Sequence, residues 1–158
     1  MRWFRSAAAV LCLCAMSAAA SAGERPQFLG SSDPAAAKLP FSEAVRSGDL
    51  LFLSGQIGTV PGADNALAKG GIGPEAEQTL SNIRAVLERH GASMRDVVKC
   101  TVFLADIGDW PAFNEVYRKH FSAPFPARSA LAASGLAMGA KVEVECIAQA
   151  PRKAGKSR

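Results

Sequence analysis

The spacing of apolar and polar positions divides the chain beyond residue 40 into short strands and two helices. Residues 41–46 and 50–54 read as strands, and the turn-prone Ser47-Gly48-Asp49 between them predicts a hairpin. Residues 58–73, rich in Gly, Pro and Asn, read as a loop. Pro74 opens the first helix, with Glu75 and Glu77 near its N-terminus, where negative charge suits the helix dipole. Ala76, Leu80, Ile83 and Leu87 recur at helical spacing, and Gly91 supplies the stop. Residues 96–105 predict a strand with Val98, Cys100, Val102 and Leu104 on one face and Lys99, Thr101 and Phe103 on the other. Asp109 is the candidate cap of a second helix running to about Phe121, with Trp110, Phe113, Tyr117 and Phe121 as its apolar stripe. Pro124 and Pro126 punctuate its exit, and residues 127–132 form the next strand. In the last strand, residues 141–149, Val142, Val144, Cys146 and Ala148 face one way and Glu143, Glu145 and Ile147 the other. Residues 23–39 are polar and read as irregular. The order ββαβαββ predicts an α+β fold, one mixed sheet with two helices on one face.

The opening residues have a different character. Arg2 and Arg5 precede an apolar run over residues 7–16, and Ala20-Ser21-Ala22 follows as a small-x-small triplet. Together they predict a signal peptide over residues 1–22, cleaved before Gly23. The run is too short to span a bilayer comfortably, so export to the periplasm or beyond is expected, without stable membrane association afterwards. Residues 23–150 form the folded domain, and 151–158 a basic tail. Charge supports this division. The 158-residue chain has 18 Lys+Arg against 14 Asp+Glu, a net charge of +4. Six of the basic residues lie in the leader and the tail, which leaves the body slightly acidic. A nucleic-acid domain concentrates basic charge on its folded surface, so no nucleic-acid partner is expected.

Candidate chemistry is sparse. Cleavage of the leader would remove Cys12 and Cys14 and leave Cys100 and Cys146, both in phase with core-facing strand positions. Two buried free thiols are the preferred reading, and a disulfide in an oxidising compartment is the alternative. His90 and His120 fall near predicted helix ends, as solvated side chains or in favourable contact with the helix dipole, and neither has the spacing of a metal ligand, so no metal site is expected. Gly70-Gly71-Ile72-Gly73 lacks the preceding strand and the Lys-Ser/Thr ending of a phosphate loop. What remains is Arg128 and Glu143, each near the start of a strand. Their composition alone reads as surface salt-bridge residues.

Several segments nonetheless follow a known pattern in the right order. Pro40-Phe41-Ser42-Glu43-Ala44-Val45 and Gly48-Asp49-Leu50-Leu51-Phe52-Leu53-Ser54-Gly55-Gln56-Ile57 resemble the opening hairpin of the RidA (YjgF-like) reactive imine deaminase family. Glu77-Gln78-Thr79-Leu80-Ser81-Asn82-Ile83 is similar to its first helix, Asp96 to Leu104 to its central strand, and Phe113-Asn114-Glu115-Val116-Tyr117 to its second helix. Phe125-Pro126-Ala127-Arg128-Ser129 and Val142-Glu143-Val144-Glu145-Cys146-Ile147-Ala148 resemble its two signature segments.

The resemblance implies a chorismate-mutase-like fold, a homotrimer, and sites in the clefts between subunits. It also implies hydrolysis of a small 2-imino acid to a 2-keto acid and ammonia, with no metal or organic cofactor. The family's carboxylate-binding arginine maps onto Arg128 and its water-orienting glutamate onto Glu143. Ser54, Asn114, Phe41 and Ala130 map onto positions lining the same cleft. Many members carry Tyr at the position of Phe41 and Cys at that of Ala130, so this chain lacks a hydroxyl and a thiol there. The alternative on the same fold is a non-enzymatic trimer that binds small carboxylates or acts as a chaperone.

Overall fold

A short strand, β1 (Gln27–Leu29), runs antiparallel to β2 (Ala44–Ser47), which turns through Gly48-Asp49 into β3 (Leu50–Leu53). Gly48 has a φ of 59°, a left-handed conformation that a hairpin turn needs and that glycine adopts without a Cβ clash. The computed structural model describes residues 25–31, 38–64 and 66–151. The expected leader and the tail beyond Pro151 lie outside the described residues. The segment expected to be irregular therefore contributes an edge strand, β1, whose three residues carry too little periodicity to be read from sequence.

A further pair of residues, β4 (Gln56–Ile57), precedes helix α1 (Ile72–Arg89), which begins at Ile72 rather than at Pro74. Strand β5 (Val97–Leu104), helix α2 (Trp110–His120), β6 (Ala127–Ala132) and β7 (Val142–Gln149) complete the chain. The strands lie in the order β1-β2-β3-β7-β5-β6, with β4 also paired to β7. Among the described residues only the β5–β6 pair is parallel, and α2 is the crossover that such a pair requires. The fold is thus the expected α+β arrangement. Leu80, Ile83 and Leu87 of α1 and Phe113 and Tyr117 of α2 are buried with Val102, Leu104, Val142 and Val144 of the central strands in one core.

Four local expectations are corrected. Val98 is 42% exposed, not core-facing, because a register shift between Val97 and Lys99 puts Val97 in the core instead. Asp109 occupies the cap position of α2 without a side-chain cap; Asp106 instead accepts a 2.8 Å bond from the Gly108 N–H in the short turn leading into the helix. The histidines are not simply solvated. The His120 side chain is buried between the helices, with Nε2 2.9 Å from Glu77 Oε1 and Nδ1 3.3 Å from Arg84 Nη2. His90 Nε2 lies 3.0 Å from Glu43 Oε2, and Arg89 donates to the same carboxylate.

The fourth correction concerns the thiols. Cys100 and Cys146 do point into the core, at 0% and 2% exposure, but they form a disulfide. The antiparallel β5–β7 ladder sets them directly opposite, with Cα atoms 4.1 Å apart. Their separation of 46 residues gives no sequence clue to that pairing. Closing a loop of this length restricts the unfolded chain, so a Cys100→Ala/Cys146→Ala double variant is expected to lose about 2–4 kcal/mol of unfolding free energy. Urea unfolding of the two proteins measures it, and equal values would show that the bridge adds nothing.

Candidate functional site

Strand register decides where the charged side chains point. Arg128 is the lateral partner of Cys100, which is the partner of Cys146, so all three share the helix-covered face of the sheet. Because β6 is the outermost strand, Arg128 lies at the margin of that face, against α2. Trp110, Phe113 and Tyr117 fall on one side of α2 at helical spacing and meet it there. The guanidinium carbon is 4.6 Å from the ring centre of Tyr117, 5.4 Å from that of Trp110 and 5.9 Å from that of Phe113. Among the described residues Arg128 makes no hydrogen bond and no ion pair. It opens onto a cavity of about 270 Å³ that Asn114, Tyr117, Arg118, Phe125 and Pro126 also line.

Glu143 belongs to the other phase of β7 and points to the uncovered face. Its neighbour there is Gly55: a Cβ on that glycine would lie 1.9 Å from Glu143 Oε1, so the carboxylate occupies the space that any other residue would fill. Gln56 braces this backbone, its Nε2 donating to the carbonyls of Ser54 at 3.3 Å and Gly55 at 3.2 Å. The Ser54 hydroxyl donates to the Ser42 carbonyl at 2.7 Å, tying the same stretch to the segment carrying Phe41, which is 56% exposed. Glu143 likewise has no hydrogen bond or ion pair among the described residues.

The six residues singled out from the sequence therefore separate into two groups. Arg128 and Asn114 line a cavity beside α2, and Ala130 follows along β6, half-buried against the core. Glu143 lies against Gly55 on the uncovered face, and Ser54, next to Gly55, is tied to the Ser42 carbonyl, which follows the exposed Phe41. One chain does not bring Arg128 and Glu143 together. The salt-bridge reading of these two residues is corrected, since neither has an ionic partner among the described residues. The apolar stripe of Trp110, Phe113 and Tyr117 points to the core, and the resembling hairpin segment gives Gly55 and Gln56 no role at the site. The aromatic stripe was readable, but its position under Arg128 depends on the β5–β6 register. Among the described residues, no group of three or more His, Cys, Asp or Glu side chains is gathered as a metal site, and no helix is long and apolar enough to cross a membrane.

Tyr117, against Arg128, is a buried phenol. Burial pushes its phenol above the ordinary 10.0, and the neighbouring Arg128 charge partly opposes the rise. The phenol stays neutral, so the contact with Arg128 is cation–π rather than an ion pair. Its hydroxyl is buried with no hydrogen-bond partner.

The mixed sheet, covered on one face by two helices, makes this an α+β protein. A sequence profile described as Endoribonuclease L-PSP matches residues 31–150, and the chain belongs to that family, also known as the YjgF/RidA family. It is 44% identical over 108 residues to the 2-iminobutanoate/2-iminopropanoate deaminase of Dermatophagoides farinae, covering 68% of this chain and 84% of that one. It is 46% identical over 117 residues to protein HMF1 of Saccharomyces cerevisiae, covering 74% of this chain and 88% of that protein. Among solved structures it is similar to a yeast protein at 41% identity, with a TM-score of 0.74 over 80% of this chain and 100% of the other.

Tyr117 is the single tyrosine of the chain, so phenolate absorbance reports it alone. Its titration midpoint is expected above 10.0, and Arg128→Ala is expected to raise it further by removing the opposing charge. The folded state favours the neutral phenol more than the unfolded chain does. The stability from this group is therefore fully present below pH 10.0 and is lost as pH rises through the folded-state value. A midpoint at or below 10.0 would contradict the burial, and one unmoved by Arg128→Ala would contradict the contact.

Proposed function

We propose that the protein is a 2-imino acid deaminase that hydrolyses a reactive C=N bond to a 2-keto acid and ammonia. The observation that carries this reading is Arg128: a half-buried guanidinium, open to a cavity, with no hydrogen bond or ion pair among the described residues. A guanidinium in that state suits a planar carboxylate, which it can hold by two parallel charge-assisted hydrogen bonds. A 2-imino acid carries that carboxylate on the carbon next to the imine, so fixing one places the other. The name of the Dermatophagoides farinae relative supports the same chemistry.

The separation of Arg128 from Glu143 within one chain supports an assembly in which neighbouring copies complete each site. Leu50, Phe52 and Leu131 of the uncovered face are 38%, 40% and 45% exposed, apolar surface that packing against another copy would remove from water. In the proposed homotrimer, Arg128 of one subunit grips the substrate while Glu143 of the partner subunit, with a backbone carbonyl near Ala130, holds the attacking water. The water oxygen bonds to the imine carbon, its proton passes to the nitrogen, and the carbinolamine then collapses with loss of ammonia. Imines are already electrophilic, so positioning and polarisation of water supply the catalysis, and the reaction calls for no cofactor. Asn114, Ser54 and Phe41 line the cleft.

We also propose that the protein is exported, its residues 1–22 acting as a signal peptide. The arginine–apolar–small pattern of that segment supports this, as does the disulfide, a bond that persists in oxidising compartments. Cell fractionation with an intact mass of the mature protein tests it. Full-length protein found in the cytosol would reject export without touching the enzymatic reading.

Arg128→Ala is expected to remove a contact worth about 2–4 kcal/mol, lowering turnover of freshly generated iminobutyrate by roughly 30- to 1,000-fold. Arg128→Lys should recover little, since a point ammonium cannot reproduce the planar fork. Glu143→Gln should keep 2-keto acid affinity while turnover falls. Gly55→Ala, which drives a methyl group into the Glu143 carboxylate, should behave the same way. Binding of 2-keto acid with no imine turnover in the wild type would favour a carboxylate-binding protein. Light scattering that finds a stable monomer at micromolar concentration would sink the shared site.

A further inference from the structure

Arg128 is held by ring faces rather than by acceptors. Trp110, Phe113 and Tyr117 surround its guanidinium carbon within 6 Å, and none of them takes one of its N–H donors. An arginine fixed by a carboxylate would also be ordered, but its charge would be neutralised and part of its fork occupied. Ring faces attract the cation through their quadrupole and leave the N–H groups at the guanidinium rim free. The rings are themselves braced: the Tyr117 centroid is 5.7 Å from that of Phe113 and 4.4 Å from that of Phe121. Tyr117 is 4% exposed and Phe113 1%, so two of the three contacts come from side chains locked in the core.

We propose that Trp110, Phe113 and Tyr117 form a positioning cradle that pre-orders Arg128 for the substrate carboxylate while leaving its donors unoccupied. This rests on the reading of Arg128 as the carboxylate-binding residue. The cradle acts on binding. An arginine swinging freely would have to be ordered by each incoming ligand, and that cost would appear as weaker affinity. Tyr117 makes the closest contact and contributes a ring face rather than its hydroxyl, which has no partner.

The test is a mutant cycle read by calorimetry with 2-oxobutanoate, together with iminobutyrate kinetics, on assembled protein. Tyr117→Leu keeps an apolar side chain and removes the ring. It should weaken 2-oxobutanoate binding about 5- to 20-fold and raise KM similarly, with kcat changed less. Tyr117→Phe, which restores the ring face, should recover most of that affinity. In an Arg128→Ala background Tyr117→Leu should change binding less than twofold, because nothing is left to position. A purely structural role would weaken binding equally in both backgrounds, and that additivity would overturn the cradle. Trp110→Leu, at a half-buried position, should give a smaller loss with the same dependence on Arg128, and it carries the test alone if Tyr117→Leu does not fold. If Arg128→Ala abolishes binding while the ring variants bind as the wild type does, the cradle is wrong and the carboxylate site stands. If Arg128→Ala itself binds 2-oxobutanoate normally, the site reading fails and the cradle with it.

Discussion

The register of the β6–β5–β7 ladder is the constraint on which the rest depends. Arg128, Cys100 and Cys146 lie in one lateral row, and side chains alternate faces along each strand. A slip of one residue in β7 would turn Val142, Val144, Cys146 and Ala148 out of the core and Glu143 and Glu145 into it. Burying two unpaired carboxylates while exposing four apolar side chains is strongly unfavourable, so packing alone specifies the register. The disulfide joins β5 to β7 within the same row. Once the row is fixed, Arg128 has no choice but the helix side, and Glu143 none but the open side.

That explains which parts of the molecule were legible in advance. Alternation in β7 is strict, and its burial follows the pattern residue by residue. The α1 and α2 stripes were equally plain, because their apolar positions repeat over several turns. At the start of β5 a bulge breaks the period at Val98, and nothing in the local sequence announces it. β1 and β4 are three and two residues long and exist because neighbouring strand edges need partners, a tertiary cause with no periodic trace. Strand alternation points both cysteines into the core, where the structure has them. Their bond, like the Glu77–His120–Arg84 and Glu43–His90 contacts, depends on which distant segments meet. For the candidate site the residue types were legible through the family's motifs, whereas the aromatic surroundings of Arg128 and the glycine beneath Glu143 required the fold.

The two halves are held in place by different physics. On the Glu143 side the device is exclusion. Gly55 lacks a Cβ, and the carboxylate rests where one would be, while Gln56 and Ser54 spend their hydrogen bonds on the backbone around it. On the Arg128 side the device is attraction without hydrogen bonding, through three ring faces. Neither half satisfies the polar groups of the residue it positions. Glu43, by contrast, is met by both Arg89 and His90.

A partly buried cation and a partly buried anion in one small domain would ordinarily lower their desolvation cost by pairing with each other. Here the sheet prevents it. Arg128 and Glu143 occupy opposite faces, with the disulfide-linked β5 and β7 between them, so no side-chain rotation lets them meet within the chain. The separation leaves the guanidinium and the carboxylate each without a hydrogen-bond or ionic partner among the described residues. A substrate with a carboxylate at one end and an electrophilic carbon to be met by water at the other could use both. The exposed apolar side chains of the uncovered face supply a physical reason for a second copy to bring the complementary half within reach. In the proposed assembly the same sheet would keep the two groups apart within each chain and leave each to be met by its counterpart from a neighbouring copy.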